Sequence, residues 1–395
     1  MSVKRISPLL IVFIAGLLLS QFIIWPWYIY PFELPRVWFV HRWIEILLLT
    51  GVVFGIPHLN PHKEDSPLIM SVLIFFLIAT FTALIGIDPI KSFWGNYYRN
   101  DGLFNLLHLV GLFFFLSLFW RVSWQKPIVT VFAIGCIGNA VFALIVGVVN
   151  NHLPLIGSFG HANFLAGYLA VTAPFVLWRI RISAATWKKA LWTAGFCLVS
   201  IALGLTFSVG GLVGLSVVGL TIILGHRGIS HKKIFFVLIV LAVLAACGFF
   251  IKESTRSSFN PESRNRIVAR ALIASTARPL TGWGWSNFDY AFDQTPWPIK
   301  LQHDRYIDKA HSQLLEILVT TGIIGLLVYL GIIGRVVWRF AREREISIFL
   351  FAAFAAYIIH AQTNVFSISE ELIFWIIAGQ IASHITTHKV EDQKK

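Results

Sequence analysis

Long apolar runs separated by short polar interruptions make up most of this chain. A membrane span needs about 20 mostly apolar residues. Such runs fall near residues 7–25, 37–56, 68–86, 103–120, 127–149, 162–180, 187–207, 209–226, 233–251, 311–334, 346–366 and 370–387. The pattern predicts an all-α, polytopic membrane protein of about twelve transmembrane helices. The shortest break is the tight turn expected at Ser208-Val209-Gly210-Gly211. The first run follows Lys4 and Arg5, lacks an A-x-A-like cleavage site and leads into Trp25-Pro26-Trp27-Tyr28. Aromatics there suit the end of a retained span at the interface rather than a removed signal.

One polar stretch, 252–310, interrupts the alternation, so the chain reads as a single integral-membrane unit, 1–395, with one long loop. Inside that loop, 263–278 follows Asn260-Pro261-Glu262-Ser263, which has the chemistry of a helix start. The spacing predicts a short helix with Ile267, Val268, Ala271 and Leu272 near one face. Arg266 and Arg270 fall on another face at i, i+4, directed at a cavity or at headgroups. Pro279 and Gly282 end it.

Charge orients the chain. With a cytoplasmic N-terminus, the inner segments collect residues such as Arg179, Arg181, Lys188, Lys189, Arg335, Arg339 and Arg342. The short outer loops carry only Arg36, Lys91 and Arg99. Cytoplasmic loops are the basic ones, so both termini are expected inside and 252–310 outside. Composition agrees: 57% of residues are hydrophobic and 13% charged, against about 25% charged in soluble proteins. In a soluble chain the net charge of +13 would suggest nucleic acid. Here topology accounts for most of it, and no nucleic-acid partner is expected. The cysteines Cys136, Cys197 and Cys247 each lie in an apolar run, which argues against a disulfide framework or a metal site.

The polar residues that membrane topology does not explain share the outer side. They are Phe93 to Gly102, Gly157 to Leu169, the arginines Arg256, Arg264, Arg266, Arg270 and Arg278, and Asp308-Lys309-Ala310-His311 with Glu316. Guanidinium groups hold phosphate oxygens in bidentate pairs, and an imidazole beside them is a candidate acid or base. Asn163 and Glu316 lie inside apolar runs, where a polar group needs either a helix–helix partner or a functional role. Together these features point to chemistry on a lipid-linked phosphate.

Four segments resemble the O-antigen ligase and O-antigen polymerase superfamily, bacterial membrane glycosyltransferases that use polyprenyl-diphosphate-linked glycans. Trp94-Gly95 through Arg99 to Asp101-Gly102 is similar to its W-G-x-x-x-R-x-x-G segment. Gly157-Ser158-Phe159-Gly160-His161-Ala162-Asn163 resembles its G-T-F-G-x-P-N. Ser263-Arg264 precedes Pro279-Leu280-Thr281-Gly282-Trp283-Gly284 as the family arginine precedes P-L-x-G-x-G. Asp308-Lys309-Ala310-His311, with Leu314 and Thr321-Gly322 to Gly325, is similar to its D-R-A-H-N…L…T-G-x-x-G. Val209 stands where relatives carry an arginine, Val268 where they carry a tryptophan, and Ser312 where they carry an asparagine.

The resemblance implies an inverting, metal-independent and cofactor-free glycosyl transfer on the outer face of the cytoplasmic (inner) membrane, with undecaprenyl diphosphate as leaving group. Arg264, Arg99 and Arg266 would bind the donor's diphosphate. His311 would orient or deprotonate the acceptor hydroxyl, or donate to a phosphate oxygen, with Asp308 holding its tautomer and Asn163 and Glu316 in support. The acceptor would be a lipid or a glycan. A repeat-unit polymerase would use the same residues. A secondary transporter for an anionic solute is the reading from another class, but transporters place charge at the bilayer midplane and often carry repeats.

Overall fold

The computed structural model describes residues 7–55, 65–231, 233–238, 264–295, 306–343 and 347–383. Every regular element among the described residues is helical. The first six are α1 (Pro8–Ser20), α2 (Glu33–Gly55), α3 (Ser66–Ile85), α4 (Pro89–Trp94), α5 (Leu103–Phe119) and α6 (Val122–Val149). Then come α7 (Ala162–Ile182), α8 (Thr186–Gly204), α9 (Val209–His226), α10 (Arg264–Ala277) and α11 (Phe288–Gln294). The last three are α12 (Gln313–Arg342), α13 (Ile348–His360) and α14 (Ile368–Ala382). A helix lies over each expected apolar run; of 233–251 only 233–238 is described, and it is helical. Among the described residues, six helices (α2, α3, α6, α7, α9 and α12) are long and apolar enough to cross a membrane, and α1, α5 and α13 are shorter apolar helices.

Packing follows from side-chain size. Lipid tails are as apolar as leucine, so helices in a bilayer associate through close van der Waals contact, which small residues allow. The helix α13 buries Ala352, Ala353, Ala355 and Ala356 and lies against α7 and α9. Alongside it, α3 packs on α12 and α5 on α14. At one end of the bundle, Asp65 caps α3 and takes Arg335 at 3.0 Å and Arg339 at 3.5 Å.

The described part of the expected outer loop has its own small core, in which Ile267, Ala271 and Ala274 of α10 meet Trp283, Phe288, Phe292 and Val319. The helix α10 spans nearly the expected residues, but its faces differ from expectation. Leu272 is 49% exposed, whereas Arg266 and Arg270 are 6% and 5% exposed. The Arg270 guanidinium turns inward to the carbonyls of Asp293 (3.4 Å) and Thr295 (2.9 Å) and lies over the Phe292 ring. The carbonyls at the end of α11 lack helical partners, and a buried guanidinium satisfies them. That contact outweighs the amphipathic placement.

The loop is locked to α12 at a break in that helix. Gly322 has φ +72°, and a Cβ there would lie 2.2 Å from the Leu280 carbonyl oxygen. Only glycine takes both the angle and the approach. Across the break, Trp283 N donates to Val319 O (2.9 Å), Gly284 N to Thr320 O (3.0 Å) and Ile323 N to Pro279 O (2.8 Å). The Pro279–Gly284 segment thereby supplies partners that the helix lacks there. This fixes the loop against the helix whose first turn follows His311.

Candidate functional site

The starts of α2, α5, α7, α12 and α14 come together at one end of the bundle. Their starts are tied together. Glu33 accepts from Ile368 N at 2.6 Å, Arg36 donates to Ser158 O at 3.0 Å, and Ser312 Oγ reaches Gln362 Oε1 at 3.0 Å. Helix N-termini carry partial positive charge, so such a convergence favours an anion. Between them lies a cleft partly open to solvent, lined by Arg99, Asp101, Lys309, His311, Gln313, Glu316, Asn364 and Glu371 among others.

The extended segment 306–311 forms one wall, held by a buried charge network. Lys309 Nζ lies 2.6 Å from Asp101 Oδ2 and 3.3 Å from Glu316 Oε1. The other Glu316 oxygen accepts from Ala310 N at 2.8 Å. Asp101 Oδ1 accepts from Asn96 N (2.9 Å) and Ser286 Oγ (3.2 Å). Burial alone would raise the Asp101 pKa, but Lys309 outweighs it and holds the carboxyl down at about 2. Glu316 is thus a clamp for the loop, which answers the polar-group-in-an-apolar-run question raised by the sequence.

Asp308 pairs with Arg99, whose Nε lies 2.7 Å from Asp308 Oδ2, and not with His311. The expected orientation of the His311 ring by Asp308 is therefore replaced by a contact across the cleft. Burial pushes the Asp308 pKa up and Arg99 more than reverses it, so the carboxylate stays charged. Burial likewise disfavours the Arg99 charge, but Asp308 and Asp101 raise its pKa above the ordinary value. The Arg99 guanidinium also lies near the faces of Tyr98 and Phe164, which brings the start of α7 to the site.

His311 adopts φ +54°, an uncommon conformation for a residue other than glycine. Its neighbours impose it. Ala310 N is held by Glu316, and Gln313 N donates to Ala361 O at 2.8 Å. Its Nδ1 is buried without a hydrogen-bond partner among the described residues. Burial, then Arg264, with smaller parts from Arg99 and His161, lowers the His311 pKa to about 4 against the opposing pull of Asp308. The imidazole is neutral at pH 7.

Arg264 opens α10 and donates from Nη2 to Asn364 Oδ1 at 2.9 Å, which joins it to the cleft wall. Arg266 is buried in the same helix, and neither it nor Arg264 is itself among the residues lining the cleft. Arg256 lies outside the described residues. Asn163 sits in the first turn of α7, where its backbone N–H donates to His161 Nδ1 at 3.1 Å. A helix–helix side-chain partner for Asn163, the alternative to a supporting role in the site, is not found among the described residues. Val209 is 69% exposed at the start of α9, and Arg99 is the arginine that lines the cleft.

Residues 166–330 match a family model described as O-antigen ligase. Over those residues the chain is similar to the O-antigen ligase family. The match supports a membrane glycosyltransferase of the O-antigen ligase and polymerase type. No curated protein matches the chain significantly. The O-antigen ligase match runs from α7 into α12, so it contains Arg264, Asp308, Lys309, His311 and Glu316. Arg99, Asp101 and Asn364 come from outside the matched stretch and complete the cleft.

Lys309, Asp101 and Asn364 were not singled out by sequence reasoning as site residues. Lys309 and Asp101 sit inside quoted motifs, where arginines and the histidine drew the chemical argument. For Asn364 the available signal was a polar group at the end of an apolar run, the same rule that drew attention to Glu316.

Proposed function

We propose that this protein transfers a glycan from undecaprenyl diphosphate to an acceptor hydroxyl, with His311 as the base and Arg264 and Arg99 as diphosphate ligands. The reading rests on one observation above the others: a neutral imidazole held at a polar cleft between two arginines. In the step, His311 takes the acceptor O–H proton as that oxygen bonds to the sugar's anomeric carbon. The bond from that carbon to the phosphate oxygen breaks, and its electron pair leaves with the diphosphate. The proton then passes from His311 to water. A single displacement of this kind inverts the anomeric centre.

Charge logic supports the division of labour. Preorganised cations and helix N-termini aimed at the leaving group stabilise charge as it develops there. An imidazole with a depressed pKa is a weak base in the empty cleft. The bound diphosphate's negative charge favours imidazolium and raises that pKa when the substrate arrives. Arg266 is the lesser diphosphate candidate because its side chain is buried, whereas Arg264 is partly exposed. In this reading the chain crosses the inner membrane about twelve times, with both termini cytoplasmic and the cleft on the outer face.

The test is reconstitution in proteoliposomes with an undecaprenyl-diphosphate-linked glycan and a soluble saccharide acceptor. Release of undecaprenyl diphosphate in step with glycosylated acceptor supports transfer. Movement of the intact donor across the bilayer, with no free undecaprenyl diphosphate formed, would identify a transporter instead.

A further inference from the structure

Asn364 is a cleft residue whose hydrogen bonds continue away from the cleft. Its Oδ1 accepts from Arg264 Nη2 at 2.9 Å, and its Nδ2 donates to His360 Nε2 at 3.2 Å. Beyond the ring, His360 Nδ1 stands 2.9 Å from Glu370 Oε2. Asn364 is 2% exposed, and His360 and Glu370 are fully enclosed. All three lie at the turn between α13 and α14, beyond the stretch 166–330 that matches the O-antigen ligase family.

The partners settle where the hydrogens are. A guanidinium only donates, so the Asn364 oxygen must face Arg264 and its NH2 must face the ring. His360 Nε2 is then an acceptor, which leaves the ring proton on Nδ1, towards Glu370. The Nδ1 contact is off the line of a good hydrogen bond, so the carboxylate's charge is what favours this tautomer. The other Glu370 oxygen accepts from Ser367 N at 3.3 Å, closing a capping box that fixes the carboxylate in place.

Two glycines make room for this line of residues. A Cβ on Gly167 of α7 would lie 2.2 Å from His360 Cε1 and 2.4 Å from Glu370 Oε2. A Cβ on Gly210 of α9 would lie 2.1 Å from Asn364 Nδ2. Both glycines fall within the family-matched helices. Those helices leave a slot that residues from outside the match occupy.

We infer that Glu370, His360 and Asn364 are positioning residues that fix the guanidinium of Arg264 by setting which way the Asn364 amide faces. Their bearing on transfer rests on the reading of Arg264 as a diphosphate ligand. The geometry itself does not. In Glu370→Gln the side chain keeps its shape and can still cap Ser367 N, but it presents an NH2 to His360 Nδ1. The ring proton moves to Nε2, the Asn364 oxygen turns to meet it, and the amide NH2 then faces the donors of Arg264. Arginine and amide donors repel, and the guanidinium leaves its place. Adding Asn364→Asp restores an acceptor for the ring N–H and for Arg264 together, and returns the net charge.

The experiment follows two readouts on full-length protein in nanodiscs, scored on the monodisperse fraction. One is the rate of phenylglyoxal modification at Arg264, read by mass spectrometry. The other is binding of undecaprenyl diphosphate. In Glu370→Gln, Arg264 should react several-fold faster and the ligand should bind about tenfold more weakly, as expected for one lost charge-assisted contact. Both should return towards wild type in Glu370→Gln/Asn364→Asp, which a merely structural role would not produce. Asn364→Ala, which leaves the buried Glu370–His360 pair intact, should also expose Arg264 and serves if Glu370→Gln does not fold. Unchanged Arg264 reactivity in these variants, or no recovery in the double variant, overturns the relay. If the reactivity pattern holds but wild type does not bind undecaprenyl diphosphate, the relay stands and the phosphate role of Arg264 falls.

Discussion

Arg99 and Asp308 meet at 2.7 Å across the cleft although 209 residues separate them in the chain. The aspartate three positions before His311 therefore serves an arginine on the opposite wall and acts on the imidazole only through its charge. One consequence is that Arg99 enters the site already partly neutralised by Asp308. In the proposed reading Arg264, whose charge acts on His311, is the first arginine to meet an incoming phosphate.

Arg264→Ala is accordingly expected to raise the donor KM ten- to a hundredfold, the equivalent of about 1.5–3 kcal/mol for a lost charge-assisted bidentate contact. Arg264→Lys should recover only part, because an ammonium cannot reproduce the planar fork. Steady-state kinetics with varied donor checks this. An unchanged KM in a folded Arg264→Ala protein would remove Arg264 from the diphosphate site.

The pH profile should carry the mark of the lowered His311 pKa. A base is lost as pH falls through its own pKa, so the acid limb of kcat/KM is expected near pH 4 rather than near the ordinary histidine value. In the kcat profile the limb should sit higher, since bound diphosphate stabilises the imidazolium. Coincident limbs near the ordinary histidine value would mean that neither burial nor Arg264 acts on the ring.

Glu316→Gln should destabilise the protein while leaving its helices in place. The amide can still accept from Ala310 N but no longer balances Lys309, which keeps Asp101 as its other partner. The expected cost is about 1–2 kcal/mol, read as a lower Tm in detergent. A Tm equal to wild type would show that the Asp101 contact alone holds the 306–311 wall.

Much of this architecture was legible in the sequence because spans and core share one requirement, apolar side chains over a helix-length run. The short helix of the outer loop was legible from its start signal and its proline stop, and 264–277 forms it. The direction of Arg270 was not, because its carbonyl partners at Asp293 and Thr295 lie in another element. The pairing of Asp308 was hidden for the same reason: local spacing suggested His311, and a distant arginine took the contact. Gly282 and Gly322 lay in two of the segments that resemble the family, but their purpose appears only where the loop backbone enters the helix break. Asn364, His360 and Glu370 carried the general signal of polar groups in apolar surroundings, and only the fold reveals that they form one line.

Orientation is open to a direct check. In a background without native cysteines, a cysteine at Thr276, on the exposed side of α10, should react with an impermeant maleimide added outside whole spheroplasts. One at Lys188, in the first turn of α8, should react only after permeabilisation. The reverse pattern would turn the molecule over and put the cleft on the cytoplasmic face.

The central claim, that His311 acts on the acceptor and Arg264 on the donor, is tested most directly by measuring donor binding and glycan transfer side by side in His311→Ala and Arg264→Ala. A positioned imidazole contributes about 10²–10⁴-fold to deprotonating a hydroxyl. His311→Ala should therefore lose transfer by that order and keep its affinity for the undecaprenyl-diphosphate-linked glycan, while Arg264→Ala loses affinity. Equal loss of donor binding in the two variants, or full transfer by His311→Ala, would contradict the assignment.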